Sequence, residues 1–238
     1  MSATFYGIGV GPGDPELMTL KAHRVLQRVD VVCYITNAKG YSLAADIARD
    51  SLPATRRQRH LTVQIDMSHD RTTIDIIYER TAGEIRRALE NGQDVAFLCE
   101  GDPLFFGSFA YLLARLADDF PCETIPGISS LHAASAATGL PLTMLGEHLA
   151  IISARDDDDR LRQALDTFDT LVIMKGGRKR HTITAAIAAA GRLNEGYYLE
   201  HLSTPRQALY PDLTRLPEGP GPYFSLFVVS RRHRGGAR

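Results

Sequence analysis

The sequence predicts an α/β protein made of two α/β domains, residues 1–125 and 126–238. Three observations carry that expectation. Short apolar runs rich in β-branched residues alternate with longer amphipathic stretches, the rhythm of helices packed on largely parallel sheets. The segment Pro121–Gly127 ends one such series, and a second begins beyond the turn at Gly139–Pro141. Loops holding glycine, aspartate or serine follow several of the strand patterns, where α/β sheets hold ligands.

In chain order, Thr4–Val10, Val29–Ile35, Val95–Cys99 and the shorter Cys122–Ile125 read as strands of the first domain. Leu149–Ser153, Thr170–Met174, Gly196–Leu199 and Phe224–Ser230 read as strands of the second. Helical spacing is found near Pro15–Gln27, Leu43–Ser51, Arg71–Glu90, Ser108–Asp118, Ser129–Thr138, Asp158–Thr167 and Thr182–Ala190. The acidic run Asp156–Asp159 opens one of these helices, where negative charge suits the helix dipole and a solvated face is expected. The basic, glycine-containing tail Arg231–Arg238 reads as disorder. No repeat of about 20–50 residues is visible.

Composition narrows the classes of function. The 238 residues are 44% apolar and 23% charged, with Lys+Arg 27 against Asp+Glu 28 and a formal charge of −1. Such a balance lacks the global field that gathers nucleic acid or anionic lipid, so no nucleic-acid or membrane partner is expected. An anionic substrate would need a local basic cluster. Cys33, Cys99 and Cys122 form no C-x-x-C pair, and Cys33 and Cys99 lie in apolar runs, so they read as small buried hydrophobes in a reducing compartment. No metal site is indicated. The first ten residues lack a signal-peptide layout, and no apolar run approaches about 18 residues; a cytoplasmic location is expected.

Three loops carry the chemistry. Gly7-Ile8-Gly9-Val10-Gly11-Pro12-Gly13-Asp14 follows the first strand, and its glycines permit a tight turn and close approach to a ligand. It fails the dinucleotide pattern in either frame, because Pro12 or Asp14 stands where the third glycine belongs. It also lacks the Gly-Lys-Ser/Thr of a phosphate loop, and Asp14 would sit poorly against a pyrophosphate. A purely structural turn fits it as well as a ligand loop. Glu100-Gly101-Asp102-Pro103-Leu104-Phe105-Phe106-Gly107 follows the strand Val95–Cys99; Asp102 there can accept hydrogen bonds from a ribose or an amino group, or simply cap the next helix. Pro126-Gly127-Ile128-Ser129-Ser130 offers two hydroxyls and helix-opening N–H groups, a pattern equally suited to a small polar ligand and to routine capping.

Together, GxGxGD, GDP-x-x-x-G and PGISS resemble the tetrapyrrole methylase family over essentially the whole chain, and Val172–Gly176 and Pro222–Ser225 fit as well. Within the family, the likeness of Asp94–Phe109, Ile125–Ser130, Val172–Lys175 and Tyr223–Ser225 is greatest to the branch that methylates precorrin-2 at C20 in cobalamin biosynthesis. Uroporphyrinogen-III methylases carry Gly-Gly-Asp where this chain has Glu100-Gly101-Asp102, a departure that favours the corrin branch.

The resemblance implies a methyl donor, S-adenosylmethionine, in a cleft between the two domains, and a homodimer. By motif matching it implies donor-binding positions at Pro12, Gly101, Asp102, Phe105, Ser129, Ser130, Met174 and Leu202. Leu202 stands where relatives often have glycine, so any contact there runs through the backbone. The implied acceptor carries eight carboxylates, and Arg178, Lys179 and Arg180 are the densest basic cluster near a ligand-bearing strand end, although a solvated loop reads as well. Arg56, Arg57 and Arg59 read as a second, surface cluster. No catalytic residue is assigned; Glu100, Tyr111, His132 and His201 are candidate bases that also have ordinary structural readings. Alternatives kept open are cobalt-precorrin-2, another corrin position, uroporphyrinogen III, a diphthamide precursor, ribosomal RNA and a non-catalytic nucleotide-binding module. The missing basic–aromatic stripe counts against RNA.

Overall fold

A computed structural model describes residues 3–53, 57–65 and 70–231. Arg56 of the second basic cluster and the tail beyond Arg231 lie outside the described residues. By their packing the residues separate into two compact units, the break falling between Ser130 and Leu131.

The first unit holds β1 (Phe5–Gly9), α1 (Leu20–Leu26), β2 (Val31–Thr36), α2 (Leu43–Ile47), β3 (Arg59–Gln64), α3 (Arg71–Glu90), β4 (Val95–Cys99), α4 (Phe109–Leu116) and β5 (Cys122–Ile125). Its sheet runs in the order β3-β2-β4-β1-β5, and every pairing is parallel. Both faces are covered, which explains the continuous apolar runs of β1 and β4. Phe5, Val31, Phe97 and Phe109 pack with α3 and α4 on one face. Tyr6, Ile8, Val32 and Leu98 pack with α1 and α2 on the other. Gly7 makes room for this: a Cβ there would lie 2.5 Å from the Phe109 ring.

Local chemistry sets the helix boundaries. Asp70 caps α3 by accepting the Thr73 N–H at 3.0 Å, and Gly92 follows its end at φ +74°. The stretch expected as one helix over Pro15–Gln27 is broken: Asp14 caps a single 3₁₀ turn at Pro15–Leu17, and Thr19 restarts the chain by capping α1. The sequence reading missed β3. It is an edge strand with one buried residue, Val63, and its charged side chains protect the edge without giving an apolar run.

The second unit holds most of α5 (Ser130–Thr138), then β6 (Leu149–Ser153), α6 (Asp158–Thr167), β7 (Thr170–Met174), α7 (Arg180–Ala189), β8 (Gly196–Glu200), β9 (Ala208–Tyr210) and β10 (Ser225–Ser230). Asp157 caps α6, so the acidic run opens a helix as expected. The sheet order is β6-β7-β10-β8-β9. Only β6–β7 is parallel; β10 inserts antiparallel between β7 and β8, and β9 pairs antiparallel with β8. The expectation of largely parallel sheets therefore holds for the first unit and is corrected for the second. There the return through residues 211–224 reverses the last strand. β9, a three-residue edge strand, was also missed.

Candidate functional site

In the first unit the connection after β1 leads to β2 on one side of the sheet, and the connection after β4 leads to β5 on the other. Ligands of parallel α/β sheets bind beyond the carboxyl ends of the strands. The β1 and β4 loops meet at that end of the sheet. Gly101 N donates to Gly11 O at 2.8 Å, and Gly11 N donates back to Gly101 O at 3.4 Å. Both glycines have positive φ, +85° at Gly11 and +69° at Gly101, a conformation a side chain would strain.

The loop after β5 joins this pair. A Cβ on Gly127 would lie 2.1 Å from Gly101 O and 2.8 Å from Gly9 Cα, and one on Gly9 would lie 2.5 Å from Gly127 N. Three strand ends therefore cross main chain against main chain, with no room for a methyl group. Asp102 closes the arrangement. Its Oδ1 accepts the Leu104 N–H at 2.9 Å, and its Oδ2 accepts the Gly127 N–H at 3.1 Å. A carboxylate has about four acceptor positions, so these two bonds leave capacity for a ligand donor.

The remaining positions fall around this knot. Pro12 is half-buried directly after Gly11. Phe105 is half-buried, with its ring edge-on to that of Phe106 at 5.0 Å. Phe106 takes φ 55°, and Gly107 allows the tight turn, since a Cβ there would lie 2.2 Å from Pro103 O. Ser129 is buried, and Ser130 is the first residue of α5. Pro12, Gly101, Asp102, Phe105, Ser129 and Ser130 thus come from three loops at one end of one sheet.

In the second unit Met174 ends β7, and Leu202 lies two residues past β8. These strands are separated by β10 alone, two strand spacings or about 10 Å. Met174 pairs with Leu226, and Glu200 pairs with Ser225. Both Met174 and Leu202 have buried side chains. The backbone around them is strained: Lys175, His201 and Ser203 have φ 60°, 47° and 60°. Positive φ at non-glycine residues persists only where surrounding structure enforces it, and it concentrates at ligand sites.

The expected basic cluster separates into three environments. Arg178 is exposed. Lys179 Nζ lies 3.3 Å from Asp156 O. Arg180 is buried with 3% of its side chain exposed, and it turns onto Glu200 and the 217–219 carbonyls. Of the second cluster, Arg57 and Arg59 are exposed.

Among the candidate bases, His132 is exposed and Tyr111 stacks on Tyr78 at 5.0 Å. His201 sits at the strained end of β8, where burial first and Arg206 second hold its pKa below the ordinary value against Glu200. Its ring is therefore neutral near pH 7. Burial pushes the Cys33 and Cys99 thiols far up, so both are inert in the core. Among the described residues no group of three or more His, Cys, Asp and Glu could hold a metal ion.

Sequence reasoning did not foresee the contacts of Gly9 and Gly127 or the inward turn of Arg180. The glycines were visible as loop residues, but the strand order that brings them together is not a local signal. The partners of Arg180 are main-chain carbonyls 37 to 39 residues away, which leave no residue-type signature.

Two α/β units, the first with polar and glycine loops gathered at the carboxyl end of a parallel sheet, define an α/β protein built to bind a small molecule. The chain belongs to the tetrapyrrole (corrin/porphyrin) methylases, whose family model matches residues 4–217. It is 35% identical over 232 residues to the cobalamin biosynthesis protein CobIJ of Mycobacterium bovis, covering 95% of this chain and 46% of that one. The chain thus spans about half the length of that relative. It is also 35% identical over 229 residues to the precorrin-2 C(20)-methyltransferase of a Sinorhizobium species, covering 94% of this chain and 93% of that one. Among solved structures, uroporphyrin-III C-methyltransferase of Thermus thermophilus complexed with S-adenosylhomocysteine matches at 27% identity with a TM-score of 0.70, covering 99% of this chain and 96% of that one.

Proposed function

We propose that this chain transfers a methyl group from S-adenosylmethionine to C20 of precorrin-2 in cobalamin biosynthesis. The observation that carries this reading is the near end-to-end likeness to the Sinorhizobium C20 enzyme. The donor supplies an electrophilic methyl on a sulfonium, already a good leaving group. What remains for the protein is positioning and exclusion of water, which together account for much of the rate of such a transfer.

Asp102, with acceptor capacity left over, takes hydroxyl or amino donors of the methyl donor, and Pro12 and Gly101 offer main chain at close approach. Phe105 offers a ring face, and Ser129 and Ser130 offer hydroxyls. Met174 and Leu202 contribute main chain, in keeping with their buried side chains. Arg178 and Lys179 hold carboxylates of the acceptor, while Arg180 is committed inward. No general base is assigned; ring nitrogens of the macrocycle or water suffice for the proton leaving C20. The reading includes a homodimer, as the family likeness implies, and a cytoplasmic location with no nucleic-acid or membrane partner, as the charge balance and cysteine use lead us to expect. No helix among the described residues is long and apolar enough to cross a membrane.

The test is incubation with S-adenosylmethionine and precorrin-2, with and without cobalt, followed by mass and visible spectra. A gain of one methyl on metal-free precorrin-2 is expected. A gain only on the cobalt form would move the substrate, and none on either would defeat the reading. Equilibrium dialysis with S-adenosylmethionine separates an enzyme from a non-catalytic module, which would show no specific uptake.

A further inference from the structure

Arg180, at the start of α7, is the most deeply buried charged side chain among the described residues, with 3% exposed. Its Nη1 lies 3.3 Å from Glu200 Oε1 at the end of β8. Its Nη2 lies 2.6, 3.2 and 2.7 Å from the carbonyls of Pro217, Glu218 and Gly219. The guanidinium also sits 5.6 Å from the centroid of the Tyr198 ring. One side chain therefore ties α7 both to β8 and to the strap, residues 217–224, that leads into β10.

The strap continues to the strand ends. Gly221 N donates to Gly177 O at 2.8 Å, and a Cβ on Gly177 would lie 2.1 Å from Pro222 O, so the strap and the turn after β7 lie main chain on main chain. Farther along, Tyr223 presents its ring to Lys175 Nζ at 5.6 Å, and Phe224 O accepts the His201 N–H at 2.9 Å. Lys175 and His201 are two of the strained residues, and they adjoin Met174 and Leu202. The contacts run unbroken from the guanidinium, through the strap, to the backbone on either side of β10.

We propose that Arg180 is a positioning residue: by holding the 217–219 carbonyls and Glu200 it fixes the strap, and through it the backbone at the ends of β7 and β8 that meets the methyl donor. This rests on the reading of Met174 and Leu202 as donor positions. A point charge cannot replace a planar fork that spans a carboxylate and several carbonyls, so lysine is not equivalent here. A displacement of about 1 Å in a positioning group costs on the order of 100-fold in rate.

The experiment compares wild type, Arg180→Lys and Arg180→Met, with folding checked by circular dichroism. S-adenosylmethionine affinity is measured by calorimetry, and kcat and KM for precorrin-2 are measured at saturating donor. The expected result is donor affinity weakened by roughly 3- to 30-fold in both variants, with the tetrapyrrole KM nearly unchanged. Donor affinity equal to wild type, with only a lowered melting temperature, would reduce Arg180 to a structural role and overturn the proposal. A raised tetrapyrrole KM with intact donor affinity would overturn it in favour of direct substrate binding. Should the variants not fold, hydrogen exchange on the wild type decides: added S-adenosylmethionine must slow exchange in residues 217–224 as well as near Lys175 and His201, and an unresponsive strap contradicts the proposal. Wild type that binds the donor but methylates no precorrin-2 defeats the acceptor reading alone and leaves this test standing; wild type that does not bind the donor defeats both.

Discussion

In the first unit the loops beyond β1, β4 and β5 are held main chain to main chain, across contacts that exist because Gly9 and Gly127 have no side chain. In the second unit the turns beyond β7 and β8 are flanked by a strap fastened by a long side chain, Arg180, that reaches 37 to 39 residues along the chain. A second arginine works similarly nearby: Arg192 donates to the carbonyls of Leu165, Phe168 and Asp169 where α6 ends. The first arrangement tolerates no added atom, and the second tolerates no lost hydrogen-bond donor. The lesson is that one chain can set loop geometry either by excluding side chains or by committing one to backbone carbonyls. The two kinds of site should break in different ways.

Gly127→Ala attacks the first arrangement most directly. The new methyl meets backbone atoms that cannot swing aside, at 2.1 Å from Gly101 O. Such overpacking costs about 1–3 kcal/mol of stability, and the loops must part. S-adenosylmethionine binding by equilibrium dialysis should fall by up to about 100-fold, the affinity equivalent of the upper end of that cost, whereas unchanged binding would show that the crossing is incidental. Asp102→Asn comes next. Whichever way the amide turns, its NH2 faces either the Leu104 N–H or the Gly127 N–H. Losing one charge-assisted bond costs roughly 1.5–3 kcal/mol, so donor affinity should drop on the order of 10- to 100-fold, and a change under threefold would contradict the role.

Arg192→Met sharpens the comparison from the other side. It should lower chemical-denaturation stability by about 1–3 kcal/mol and leave donor affinity alone, since its contacts end at α6 rather than at the strained turns. Arg178→Glu should raise the tetrapyrrole KM by roughly tenfold at low ionic strength and much less at high salt, because the side chain is exposed and screened. The smallest effect concerns His201. Its folded pKa is lowered, so the unfolded chain binds more protons in the interval below the ordinary histidine value. Its contribution is complete above about pH 6.5 and is lost as pH falls through the folded pKa. The acid-side slope of melting temperature against pH should therefore be shallower in His201→Gln than in wild type.

Much of this architecture is legible in the sequence. Val95–Cys99, Thr170–Met174 and Arg71–Glu90 were read with the boundaries they have, because each combines an unbroken apolar run or a steady helical stripe with a capped or glycine-marked end. Arg59–Gln64 and Ala208–Tyr210 were not, because edge strands are short or polar and draw their stability from one neighbour. The reversed β10 was also hidden, since strand direction depends on where the chain returns. In the site, the glycine and aspartate loops announced themselves, and a shared ligand could be inferred from the family motifs. The Arg180 strap could not be, because carbonyl oxygens are common to every residue.

The most direct test of the proposed activity uses S-adenosylmethionine carrying a ¹³C-labelled methyl, turned over with precorrin-2, with NMR of the isolated product. The account predicts one new labelled resonance, assigned to a methyl on C20 and absent without the enzyme. A labelled methyl at any other ring position, or no label in the tetrapyrrole, would contradict it.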